Sequence, residues 1–147
     1  MSGVLVQHRN FWMELHKEFN TFEEGSKLTD KYLYTDYQKL VEEVVEKLWK
    51  NKDAKPYFDL VNSIQLTPGV EEVYKHCKEH FTIALVSTSS FDVAKKINEE
   101  FPFDYIIANQ LQIEDSKVRG DFFWPVGTGV EEKPNIVQQL CQRFNVQ

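Results

Sequence analysis

Few residues in this chain can bind a metal, carry a nucleophile or cradle a phosphate, and their spacing tests each chemistry in turn. His76 and His80 stand one helical turn apart, a separation at which two imidazoles can share a metal ion. The zincin acid is not in its place, and the pattern suits a solvent-facing pair on an amphipathic helix; His8 and His16 form the other pair. Cys77 and Cys141 each fall at an apolar position of an expected helix, where an unpaired cysteine behaves as a small hydrophobe, so neither a disulfide nor a cysteine-based zinc site is expected. Gly127-Thr-Gly-Val-Glu-Glu-Lys133-Pro134 has the glycines and lysine of a phosphate loop. It lacks the Gly-Lys-Ser/Thr ending, and no apolar strand leads directly into it. No Gly-x-Ser-x-Gly elbow or Ser/His/Asp set is present. Asp92, Asp104 and Asp115 fall on a helix face, at a strand start and in a hairpin turn, and each reads as a solvated or capping residue.

The elements that would position these groups change character near residue 66, from all-helical signals to alternating helix and strand. Phe11, Trp12, Leu15 and Phe19 share a helical face, and the polar segment from Phe22 to Tyr34 predicts a second helix. Thr35 and Gln38 have capping-box spacing ahead of Tyr37, Leu40, Val41, Val44, Val45, Leu48 and Trp49, which recur at three and four residues. Pro56 opens a further short helix through Tyr57, Phe58, Leu60 and Val61, so residues 8–64 read as a small helical bundle whose aromatic stripe is core. Thr67-Pro68 predicts an N-cap and first turn for a helix that carries Val70, Val73, Tyr74 and Cys77 inward. Thr82 to Ser87 is an apolar run without alternation, as in a strand buried on both faces. Ser89 or Ser90 caps the next helix (Phe91, Val93, Ala94, Ile97), and Tyr105 to Ala108 forms the second strand of a right-handed parallel crossover. Leu111-Gln112-Ile113 and Val118 to Phe123 flank the polar turn Glu114-Asp115-Ser116-Lys117 as a β-hairpin, and Lys133-Pro134 starts a last helix with Ile136, Val137, Leu140, Cys141 and Phe144 on one face.

Composition excludes several functions. The 147 residues are 41% hydrophobic and 27% charged, a globular mixture of about one domain's length. Seventeen Lys and Arg against 23 Asp and Glu give a net charge of −6, so no basic field is available for nucleic acid. The apolar runs Ile83 to Val86 and Tyr105 to Ala108 fall far short of the ~20 residues needed to span a bilayer, and residues 1–20 lack the order of a signal peptide. A cytoplasmic protein is expected.

Four stretches, in order, carry a family likeness: Leu66-Thr-Pro-Gly-Val70, Ile83-Ala-Leu-Val-Ser-Thr-Ser-Ser90, Asp104-Tyr-Ile-Ile-Ala-Asn109 and Gly129-Val-Glu-Glu-Lys-Pro134. With the helical region before them and the hairpin between the last two, the chain resembles the phosphoserine phosphatase-like branch of the haloacid dehalogenase superfamily over essentially its whole length. The resemblance implies an α/β fold: a helical cap-like region over residues 8–64, and a partial Rossmann-like core made by residues 1–7 and 65–147. It also implies that Ser87 hydrogen-bonds a transferring phosphoryl group and that Lys133 offsets the negative charge there. Thr88 and Ser89 would contribute amides at the following helix start. A hydroxyl donor, a compact ammonium and helix N-terminal amides converging on one spot make an anion site on physical grounds as well.

Two parts of the family pattern are not matched. The first motif, Asp-x-Asp-Gly-x-[Thr/Val]-Leu-Val, supplies the nucleophile and the general acid/base; here Gly3 to Val6 align with its tail, Ser2 stands in place of the second Asp, and the nucleophile position precedes residue 1. The later strand with the acidic pair that holds Mg²⁺ has no counterpart before Gln147. Phosphoryl transfer through an aspartyl-phosphate needs both a carboxylate and a cation. The expectation is therefore a degenerate family member, catalytically incomplete as this chain, that binds a phosphate-type anion or a protein partner. The alternative is a phosphoserine-like phosphomonoester phosphatase completed by residues or a chain not present here, using Mg²⁺ only if the acidic ligands are supplied elsewhere. Thr82 to Val86 would then be an unpaired edge strand, which predicts a homodimer that covers it, or Val4-Leu5-Val6 folding back as a substitute strand.

Overall fold

The computed structural model describes residues 1, 3–7 and 10–145; the motif position assigned to Ser2 and the histidine at position 8 lie outside them. Helices α1 (Phe11–Glu18), α2 (Phe22–Tyr32) and α3 (Tyr37–Val41) come first, and α3 runs directly into a π-helical segment, Glu42–Trp49. Helices α4 (Lys55–Ser63) and α5 (Val70–His80) follow. Strand β1 (Ala84–Ser90), helix α6 (Phe91–Glu100), strands β2 (Tyr105–Glu114) and β3 (Lys117–Phe123) and helix α7 (Glu132–Phe144) complete the chain. The sheet order is β1-β2-β3, with β1 parallel and β3 antiparallel to β2, so the fold is α/β with a mixed sheet.

Several local expectations are corrected. Asp36, rather than Thr35, caps α3: its carboxylate accepts from Lys39 N at 2.9 Å, while the Thr35 hydroxyl donates to Lys31 O at 2.8 Å. After Val41 the helix widens, and Lys50 N donates to Val45 O, five residues back. The face that the spacing predicts is nonetheless kept: Leu40, Val44, Val45 and Trp49 are buried along this segment, with Val41 and Leu48 half-buried. Gly69, with φ +87°, precedes α5, and Thr67 makes no capping bond. Only Val70 of that helix is fully buried; Val73 is 64% exposed and Cys77 only half-buried. No residue of α7 is fully buried.

Strand β1 is not buried on both faces. Burial alternates along it, with Ala84 exposed, Leu85 and Ser87 buried and Val86 and Thr88 half-buried, the pattern of a strand with one covered face. Val4-Leu5-Val6 does not pair with it: Gly3 to Leu5 form a turn, and Val6 bridges Leu66. The two expected segments Tyr105–Ala108 and Leu111–Ile113 are one ten-residue strand, β2. The hairpin turn falls where expected, with Asp115 and Ser116 both in the left-handed region at φ +50° and +60°.

One main hydrophobic cluster joins the helical layer to the sheet. Phe11, Leu15, Trp49 and Tyr57 share it with Val93, Ile97, Leu111 and Val118. The segment after the π-helical turn is stitched to β3 by Asn51 N to Val118 O and Val118 N to Lys52 O, at 2.8 and 2.9 Å. The first helices are thereby fixed over one end of the sheet. Among the described residues no helix is long and apolar enough to cross a membrane.

Candidate functional site

The parallel ladder between β1 and β2 pairs Ser87 with Ala108, then skips so that Ser90 pairs with Asn109. Thr88 and Ser89 bulge out at the carboxyl end of β1, where α/β folds bind ligands. Ser87, Thr88 and Ser89 line a cleft of about 340 Å³, together with Lys133 and Thr128 from the loop and helix beyond β3 and with Trp12 and Tyr37 from the helical layer. The structure thus brings together the four residues that the sequence singles out, Ser87, Thr88, Ser89 and Lys133.

Their hydrogen bonding differs from a plain set of free amides. The Ser89 N–H is taken by Ser87 Oγ at 3.1 Å. That leaves the Ser87 hydroxyl its own proton to donate into the cleft. Ser89 Oγ is buried and has no hydrogen-bond partner, an expensive state for a hydroxyl, in a residue that lines the cleft. Ser90 points the other way: its Oγ accepts from Asp92 N at 3.1 Å as the cap of α6 and meets Tyr57 Oη at 2.6 Å, while Tyr57 donates to Asp92. Burial, then the Asp92 charge, pushes the Tyr57 phenol well above its ordinary value, so it stays a neutral structural donor. Asp92 therefore serves as the acceptor of a buried phenol as well as a first-turn acid.

Lys133 lies in the first turn of α7, and the loop before it is shaped around its side chain. Gly129 has φ +82°, and a Cβ there would lie 2.7 Å from Thr88 Cγ2 and 3.0 Å from Lys133 Cε, so only glycine lets the lysine stem pack beside Thr88. Glu132 secures the same loop by accepting from Gly129 N at 3.2 Å. Among the described residues Lys133 makes no ion pair.

Asn109 is the residue that sequence reasoning missed. Fully buried, it donates through Nδ2 to Gly127 O at 2.9 Å, Thr88 O at 3.2 Å and Tyr37 Oη at 3.3 Å, and accepts from Val126 N at 3.0 Å. One side chain thereby joins the end of β1, the loop before α7 and the helical layer. The available signal was an amide directly after the apolar run Tyr105 to Ala108, and Gln110 beside it blunted that signal. Trp12 makes the second tie across the layers, donating from Nε1 to Thr88 O at 2.9 Å. Burial, with Glu132 adding to it, pushes the Tyr37 phenol up to about 12, so this phenol stays neutral at physiological pH.

A haloacid dehalogenase-like hydrolase model matches residues 7–146. The chain belongs to the haloacid dehalogenase-like hydrolase family. Among individual proteins, it is 28% identical over 136 residues to a phosphoserine phosphatase of Archaeoglobus fulgidus, covering 90% of this chain and 39% of that protein. A phosphoserine phosphatase of Methanocaldococcus jannaschii is 37% identical over 62 residues, covering 42% of this chain and 29% of that one. The chain thus spans well under half the length of these relatives. A substrate-bound phosphoserine phosphatase structure superposes with a TM-score of 0.82 at 25% identity, covering all of this chain and 70% of the other.

In haloacid dehalogenase-like hydrolase terms, the described cleft supplies hydroxyl donors and a cation. No Asp or Glu is among the described residues that line it. Among the described residues no group of three or more His, Cys, Asp or Glu is placed to hold a metal, and the cleft's hydroxyls and ammonium suit an anion. The described donor set therefore does not fit Mg²⁺. His76 and His80 pack edge to face at 5.2 Å on α5, remote from the cleft.

Proposed function

We propose that the cleft binds the phosphoryl group of a phosphate monoester and is the recognition part of a phosphomonoester phosphatase site of the phosphoserine phosphatase type. The observation that carries this is the unpartnered, buried Ser89 hydroxyl beside Ser87 and the first-turn Lys133. A phosphoryl group offers several acceptor oxygens and negative charge, the partners that two or three hydroxyls and an ammonium lack. The named relatives support the same chemistry. In this reading Ser87 and Ser89 donate to phosphoryl oxygens, Lys133 offsets their charge, and Gly129 and Asn109 keep the groups in place. Hydrolysis through an aspartyl-phosphate draws its carboxylate from outside the described lining residues.

Titration with inorganic phosphate and O-phosphoserine by calorimetry, paired with a Mg²⁺-supplemented hydrolysis assay, tests this. Millimolar or tighter binding that Lys133→Ala weakens is expected. Turnover that Ser87→Ala abolishes marks an enzyme, and binding without turnover marks a binding protein. No phosphate-dependent heat or shift overturns the reading. For assembly, the proposal remains a homodimer in which a second copy covers the outer edge of β1, which faces no described strand. A sedimentation coefficient of a monomer at micromolar concentration would reject it.

A further inference from the structure

A second cavity, of about 120 Å³, lies within the helical layer. It is adjacent to the cleft: Asn10, Trp12, Leu33 and Tyr37 line both spaces. Its deeper walls are apolar, formed by Val44, Val45 and Trp49 of the π-helical segment and by Phe122 of β3. Trp12 is held rigidly at the junction, stacked with Trp49 at 6.4 Å and edge-on to Phe122 at 5.3 Å, with its indole N–H anchored on Thr88 O. None of the described residues that line this cavity is Asp, Glu, Lys or Arg. The one imidazole, His16, is 2% exposed, and burial lowers its pKa to about 4, so the walls carry no charge near neutral pH.

The chemistry of these walls conflicts with an amino-acid leaving group. Phosphoserine would bring an ammonium and a carboxylate, and unpaired charges in an apolar cavity are strongly disfavoured. An uncharged hydrocarbon gains from the same walls. We propose that the cavity receives the leaving group of the phosphate monoester held in the cleft, and that this group is apolar and smaller than a benzene ring, for which a dry cavity of ~150 Å³ is known to suffice. The inference rests on the cleft being a phosphate site. It narrows the substrate class to small alkyl phosphates.

The test is a binding series on the intact chain: inorganic phosphate, O-phospho-L-serine, and methyl, ethyl, n-propyl and n-butyl phosphate. Each added methylene is expected to tighten binding by up to about fourfold until the cavity is full. Phosphoserine should bind no better than methyl phosphate. Trp49 lines the cavity and not the cleft, so its indole N–H resonance should shift with the longer esters and not with inorganic phosphate. Val41→Phe narrows the cavity from a position outside the cleft and should flatten the series while leaving inorganic phosphate binding unchanged. A flat series in the unsubstituted chain, or phosphoserine as the tightest ligand, overturns the apolar leaving group and leaves the phosphate site standing. Failure of every phosphate to bind overturns the phosphate reading itself.

Discussion

Replacing Asn109 should damage both stability and the cleft, by an amount the structure allows to be worked out. Its two Nδ2 protons serve three acceptors, the strongest being Gly127 O at 2.9 Å, and Oδ1 takes the Val126 N–H at 3.0 Å. Asn109→Leu keeps the approximate volume and removes all of these. At about 1 kcal/mol net per buried hydrogen bond, with a further 1–3 kcal/mol for leaving a group such as the Val126 N–H unpaired, the loss is about 3–5 kcal/mol. That is a large part of the 5–15 kcal/mol typical of a whole domain. Asn109→Asp isolates the donor. It retains the Val126 contact but sets an anionic oxygen against the carbonyls of Thr88 and Gly127, so it should destabilise and also repel phosphate. Urea unfolding followed by circular dichroism gives the first quantity, and phosphate titration of the folded fraction gives the second. If Asn109→Leu shifts unfolding by less than about 1 kcal/mol, the side chain is not the tie its hydrogen bonds imply. Phosphate affinity unchanged in Asn109→Asp would refute its link to the cleft.

Three further outcomes follow from close packing around single residues. Gly25→Ala would place a Cβ 2.1 Å from His16 Cε1, so it should cost about 1–3 kcal/mol by overpacking, opposite in sign to the ~1 kcal/mol gain of the same change in an open helix; the urea midpoint decides. His16 resists protonation in the folded state, with its pKa lowered to about 4 by burial, while the unfolded chain takes the proton near 6.5. Stability should be complete above pH 6.5 and fall by roughly 3 kcal/mol as pH drops to 4 and below, and His16→Phe should remove that slope from stability measured across pH 4–7. Gly129→Ala combines a left-handed backbone with a 2.7 Å approach to Thr88 Cγ2, so weaker phosphate binding and a loss of about 1–3 kcal/mol are expected by calorimetry and unfolding.

How much of this was legible in the sequence depends on the range over which each feature is made. The hairpin turn at Asp115 and Ser116 and the helix start near Pro56 are encoded within a few residues, and the structure has them where the spacing places them; the expected strand from Thr82 to Ser87 instead runs from Ala84 to Ser90 and takes in the hydroxyl run. The α3 cap was misplaced by one residue because Thr35 and Asp36 are both competent caps, and only the backbone angle decides between them. The burial of Val73 and of the α7 face was overestimated for a different reason. Periodicity shows that a helix has an apolar stripe, and tertiary packing decides what covers it.

The candidate site divides along the same line. Ser87, Thr88, Ser89 and Lys133 sit at the ends of β1 and the start of α7, where strand and helix termini are set by local signals, and so they could be named in advance. The groups that wall both the cleft and the adjacent helical cavity reach across the chain. Trp12 is 76 residues from the Thr88 carbonyl it binds, and Tyr37 is 72 residues from Asn109. No window of sequence contains both partners, and neither an aromatic on a helical stripe nor an amide within a strand signals a site by itself. The π-helical segment, by contrast, keeps Val44, Val45 and Trp49 on the inward face that their spacing predicts. The proposed phosphate-binding chemistry is thus written locally, in hydroxyls and one lysine. The proposed discrimination between leaving groups is written in long-range packing, and packing of that kind can differ among proteins that share the same short motifs.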